Sequence, residues 1–93
     1  APKASLRLDA QSIGVGESAL LFGTYRPQGV EKARQSFNLS PRGDLKEAAA
    51  ALFFALRQLD QSGAAVIAVA PIPDFGLGEA LRDRLQRAAA PRD

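Results

Sequence analysis

Apolar positions recur at two periods along the chain, and the longest helical run lies in the middle. From Leu45 to Asp60, the residues Leu45, Ala48, Ala49, Leu52, Phe53, Leu56 and Leu59 return at helical spacing and predict one apolar stripe. Asp44 stands where an N-cap belongs, with Glu47 three residues on to complete a capping box. Ser62-Gly63 ends the run, with Gly63 as the left-handed residue past the helix. A second helix is predicted over Leu77–Ala90, with Leu77, Ala80, Leu81, Leu85 and Ala88 inward and Pro91 as the stop.

Strand-like segments surround these helices. Ser5–Asp9 alternates polar and apolar residues and suits a half-buried edge strand. Ser18–Gly23 is a short continuous apolar run, as in an interior strand. Ala33–Leu39 alternates, with Phe37 and Leu39 toward the core. Ala64–Ala70 is apolar on both faces and β-branched at Val66, Ile67 and Val69, which predicts a central strand. The β–α–β–α order over residues 33–90 implies parallel strands joined by a crossover. Between Gly23 and Ala33 the chain is too short for a helical crossover, so the strands it joins are expected to be antiparallel or not neighbours. The fold class is therefore α/β: a small Rossmann-like open sheet of about four mostly parallel strands with two main helices.

Composition narrows the chemistry. The 93 residues fit a single domain, and 46% of them are hydrophobic, enough for a real core. There is no His and no Cys, which removes Ser-His-Asp and Cys nucleophile arrangements, thiolate or imidazole zinc sites and disulfides. Absence of Cys fits a cytoplasmic protein. There is no Met either, and a chain opening Ala-Pro-Lys-Ala reads as a piece cut from a longer protein. The formal charge of +2 is too balanced for an electrostatic nucleic-acid binder, so direct nucleic-acid binding is not expected, even through the C-terminal arginines Arg82, Arg84, Arg87 and Arg92. No apolar run reaches membrane-spanning length and no signal peptide opens the chain.

In an open α/β sheet, ligands gather beyond the carboxyl ends of the strands. Two loops meet that condition, Ser40–Asp44 and Pro71–Gly76, each before a helix N-terminus. Ser40, Arg42 and Gly43 in the first, with Gly76 and Gly78 at the second, are the candidate nucleotide-binding residues. Asp44 and Asp74 compete with that reading, because as caps they would occupy the N–H groups an anion needs. Arg84 falls within the predicted apolar stripe of the second helix and must snorkel, pair or bind something: either a structural pairing, with Asp60 or Asp74 as candidate partners, or an anion or interdomain contact. Phe54 lies nearly opposite the first helix's stripe, so it marks either a second packing face or an interdomain contact.

The ordered run Asn38-Leu39-Ser40-Pro41-Arg42-Gly43-Asp44-Leu45-Lys46-Glu47-Ala48-Ala49, followed by Leu52-Phe53-Phe54-Ala55-Leu56-Arg57-Gln58-Leu59-Asp60, resembles the C-terminal domain of long-form threonylcarbamoyl-AMP synthases. Ile72-Pro73 and then Gly76-Leu77-Gly78-Glu79-Ala80-Leu81-Arg82-Asp83-Arg84-Leu85 resemble that domain's ending. Ala1, Pro2, Lys3 and Ala4 resemble the end of the family's interdomain linker, which typically reads Tyr-Arg-His-Tyr-Ala-Pro. Two departures stand out: Arg82 where the family often has Asn, and Phe54 where a small residue is usual. The resemblance implies a linker end at residues 1–4, one accessory domain over 5–90 and a tail at 91–93. It further implies a parent enzyme with a YrdC-like catalytic domain. That enzyme uses ATP, with Mg2+, to make threonylcarbamoyl-AMP from threonine and bicarbonate for modification of transfer RNA. The family's ATP and threonine residues belong to the catalytic domain and linker, so no catalytic residue and no cofactor is expected in this chain. Two functions stay open. One is a domain that docks on its own catalytic domain, positions the linker and serves the tRNA modification machinery indirectly. The other is a regulatory module that binds ATP or AMP.

Overall fold

The computed structural model describes residues 3–90. Four strands form one sheet in the order β1-β4-β2-β3. They are β1 (Ser5–Arg7), β2 (Ser18–Leu21), β3 (Ser36–Asn38) and β4 (Val66–Val69). All three pairings are parallel, with Leu6 opposite Ile67, Ala19 opposite Ala68 and Leu20 opposite Phe37. The α/β expectation holds. The apolar run at residues 64–70 makes the inner strand β4, and the alternating Ser5–Asp9 segment makes an edge.

One expectation about connectivity is overturned: β2 and β3 are parallel neighbours. Both strands are shorter than the pattern suggested, so fourteen residues, 22–35, join Leu21 to Ser36. That is room for a crossover built on a single 3-10 turn, Val30–Lys32, instead of an α-helix.

Helices α1 (Leu45–Asp60) and α2 (Leu77–Ala89) pack on the same face of the sheet. Alternation explains which face they choose. Leu6, Leu20, Phe37, Leu39, Ile67 and Val69 point toward the helices and meet Leu52, Leu59, Leu81 and Leu85. The opposite face carries small or polar residues, and Ala19, Leu21 and Ala70 form a thinner second cluster under Ile13, Val30 and Ala33 of the two crossover loops. Arg7 closes that side by a bidentate bond to Glu17 (2.6 and 3.2 Å) while also donating to the carbonyl of Ser12.

The helix stripes are narrower than the sequence pattern. In α1 the buried positions are Ala48, Leu52, Ala55 and Leu59, whereas Phe53 and Ala49 lie outside. In α2 they are Gly78, Leu81 and Leu85, whereas Leu77 and Ala80 are exposed. Two helices sharing one face each give an arc to the sheet, and only a fringe of apolar residues remains between them.

Candidate functional site

Parallel strands put the Ser40–Asp44 and Pro71–Gly76 loops at the same end of the sheet. The first is wound inward. Ser40 is fully buried. Its hydroxyl accepts from the N–H of Asp44 (2.9 Å) and donates to Oε1 of Glu47 (2.5 Å). Asp44 caps α1, with Oδ1 accepting from the N–H groups of Lys46 (2.9 Å) and Glu47 (3.1 Å). The expected reciprocal box is thus modified. Glu47 does not bond the N–H of its cap directly; the Ser40 hydroxyl accepts from that N–H and donates a hydrogen bond to Glu47. Gly43, at φ 75°, turns the chain so that its N–H meets the Ser40 carbonyl at 3.0 Å. Arg42 lies 3.3 Å from Asp44 and 3.5 Å from Glu47. The Asp44 carboxyl is held below its ordinary value by the Glu47 N–H first and then by that of Lys46.

At the second loop the N-cap of α2 is Gly76, without a side-chain bond. The N–H of Gly78 goes to the carbonyl of Phe75 (2.9 Å) and that of Glu79 to Gly76 (3.1 Å). Asp74 is therefore not the cap, because Gly76, directly before the first helical residue Leu77, holds that position. Gly78 is buried where a Cβ would sit 2.1 Å from the Pro73 carbonyl oxygen, so its missing side chain serves the packing of α2 on this loop. Ser40, Arg42 and Gly43 come together in one turn and Gly76 and Gly78 in another. In both turns the N–H groups named above already have acceptors within the chain.

Arg84 and Phe54 point to different surroundings. Arg84 has no carboxylate within ion-pair distance among the described residues, which overturns the expected pairing with Asp60 or Asp74. It projects from the rim of α2 with its guanidinium 5.0 Å from the centroid of the Phe53 ring. Phe54, on the other flank of α1, meets Phe37 edge to face at 5.7 Å between centroids. Sequence reasoning missed the depression beside the Phe53–Arg84 pair. It is a groove of about 320 Å3 between α1 and α2, lined by Leu52, Phe53, Leu56 and Ala88, with Arg57 and Arg87 at its sides. A second depression of about 210 Å3 shares Phe53 and Arg84 and runs on to Leu77 and Ala80. The usable signal was the pair of i, i+4 rows Ala49–Phe53–Arg57 and Ala80–Arg84–Ala88, which lie just off each helix's buried arc.

Asp60, at the last turn of α1, also lines the larger groove. Its Oδ1 accepts from the N–H of Ala4 at 2.9 Å, and Ala4 itself is buried in the main core. The bond from Ala4, followed by that from Lys3, lowers the Asp60 carboxyl from its ordinary value. Ala1 and Pro2, the other linker positions, lie outside the described residues, as does the tail at 91–93.

Among the described residues no cluster of three or more Asp, Glu, His or Cys could hold a metal ion, and no helix is long and apolar enough to cross a membrane. These features define a class: a two-layer parallel α/β domain whose loop hydroxyl and carboxylate groups serve its own turns and whose inter-helix groove is apolar between arginines. The family model for the threonylcarbamoyl-AMP synthase C-terminal domain matches residues 1–90, and the chain belongs to that family. It is thus a domain of a threonylcarbamoyl-AMP synthase, a family that acts in threonylcarbamoyladenosine modification of tRNA. No match was found among curated proteins or among solved structures.

Proposed function

We propose that this domain is the non-catalytic C-terminal accessory domain of its synthase, that it docks on the YrdC-like catalytic domain of the same polypeptide in the cytoplasm, and that it fixes the end of the linker between them. The observation that carries this reading is the Ala4–Asp60 bond. The last residue of the linker end is buried, and its N–H is tied to the last turn of the domain's longest helix. The chain entering the domain is thereby given a fixed point and direction. A linker held at one end has fewer conformations to lose when it closes over a neighbouring active site. ATP and Mg2+ act in the catalytic domain, and the Ser40 and Gly76 turns serve the helix starts.

The test is kinetic and uses the full-length synthase. Asp60→Ala frees Ala4, whereas Asp60→Asn keeps an acceptor oxygen. Asp60→Ala is expected to lower the rate of pyrophosphate release from ATP by up to about 10²-fold, as for a misplaced positioning element. Asp60→Asn is expected to recover most of the loss. If both variants fold and both work at the parent rate, the linker-positioning role is wrong.

A further inference from the structure

The groove between α1 and α2 remains without an occupant. Its floor is apolar, from Leu52, Leu56 and Ala88, and Phe53 stands over it with two-thirds of its surface exposed. The apolar area still open to water there belongs to the Phe53 ring and to the half-buried Leu56 and Ala88, and covering it favours association. The charge around it is one-sided. Arg57, Arg84 and Arg87 line the groove against a single carboxylate, Asp60, which is bonded to Ala4. Only Arg87 has a carboxylate partner among the described residues, Asp83 at 3.2 Å, and both side chains of that pair are well exposed, so it contributes little. An apolar floor between cations suits a partner with the opposite arrangement. Asp60 also supplies location: the groove ends at the residue that binds the N–H of Ala4.

Resting on the docking reading above, we infer that the α1–α2 groove is the docking surface itself, and that its occupant is an acidic, amphipathic segment of the same polypeptide's catalytic domain. That segment seats apolar side chains on Leu52, Leu56 and Ala88, covers the Phe53 ring, and sets Asp or Glu against Arg57 and Arg84. Phe54, on the other flank of α1, stays in solvent.

Three phenylalanines of similar exposure make an internal comparison. Phe53 is 66% exposed in this domain, Phe54 57% and Phe75 67%. Hydroxyl-radical footprinting of the full-length synthase reads the modification of each ring by mass spectrometry. Phe53 is expected to be modified several-fold less than Phe54 and Phe75. Arg57→Glu combined with Arg84→Glu is expected to bring Phe53 up to the level of the other two, and Lys32→Glu, on the 3-10 turn, is expected to change nothing. Arg57→Gln with Arg84→Gln, which removes charge without reversing it, gives an intermediate level and guards against an effect of folding. Protection of Phe54 in place of Phe53 overturns the groove and leaves docking standing. Equal modification of all three rings overturns both. Protection of Phe53 that survives charge reversal overturns the acidic occupant.

Discussion

Arg82 of α2 grips Asp9 through two bonds, Nη1 to Oδ1 at 2.8 Å and Nη2 to Oδ2 at 3.1 Å, across 73 positions of sequence. Nη1 also donates to the carbonyl of Ile72 at 3.2 Å. One guanidinium thus joins the loop after β1, the loop after β4 and the second helix. Asp9 sits at φ 54°, a left-handed conformation that a non-glycine residue adopts at some cost, and the bidentate bond holds it there. Arg82→Ala is expected to destabilise the domain by about 1 kcal/mol, a modest figure because roughly half of the Asp9 side chain is in solvent. Arg82→Asn leaves a side chain too short to span both acceptors and is expected to cost the same. Urea denaturation of the three proteins measures it.

Ser40 gives a sharper case. Its hydroxyl is buried and satisfies the N–H of Asp44, so Ser40→Ala leaves that donor without a partner and Glu47 without its proton donor. The expected loss is about 1–3 kcal/mol. Because the hydroxyl is committed to the cap, isothermal titration with millimolar ATP or AMP is expected to be flat for both parent and variant.

Gly78→Ala tests packing at the other helix start. A Cβ there would meet the Pro73 carbonyl oxygen at 2.1 Å, and backbone on both sides has to move. A destabilisation of about 1–3 kcal/mol is expected, in spite of alanine's better helix propensity. Thermal unfolding followed by circular dichroism separates this outcome from the small gain that an open site would give.

The acid limb of the stability curve follows from four carboxyls whose values are lowered in the fold. They are Asp9 by Arg82, Glu17 by Arg7, Asp44 by the Glu47 N–H and Asp60 by the Ala4 N–H. A carboxyl lowered on folding stabilises the protein above its unfolded value, about 4, and that stabilisation is lost as pH falls through the lower folded value. The melting temperature is therefore expected to be flat near neutrality and to drop below about pH 4. Asp9→Asn combined with Asp60→Asn is expected to make the drop shallower. An equally steep limb in that variant would assign it to other groups.

The strands and both helices were legible because each carries its own period. Val66, Ile67 and Val69 announce a buried strand from three β-branched letters within four positions, and Asp44 announces a cap. What sequence alone concealed depends on which elements share a face. Phe53 and Leu77 have the right spacing to be inside, and they are outside because α1 and α2 lie side by side on one layer and neither can bury its full stripe. The parallel pairing of β2 with β3 was hidden for a related reason. Its crossover holds only a 3-10 turn, too short for a periodicity to read, and it covers Ala19 and Ala70 with just Val30 and Ala33, beside Ile13 of the preceding loop. Arg84 looked like a buried charge for the same cause as Phe53, and the two misplaced residues turn out to touch each other.

The strand order carries a consequence for biosynthesis. β4 is the last strand to be translated, yet it lies between the first two and supplies every ladder bond that connects β1 to the rest of the sheet. Until Val69 clears the ribosome, β1 has no neighbour and Leu20 has only one of its two flanking strands. Nascent chains stopped before residue 66 therefore lack the seam of the sheet, and folding waits for nearly the whole domain to emerge.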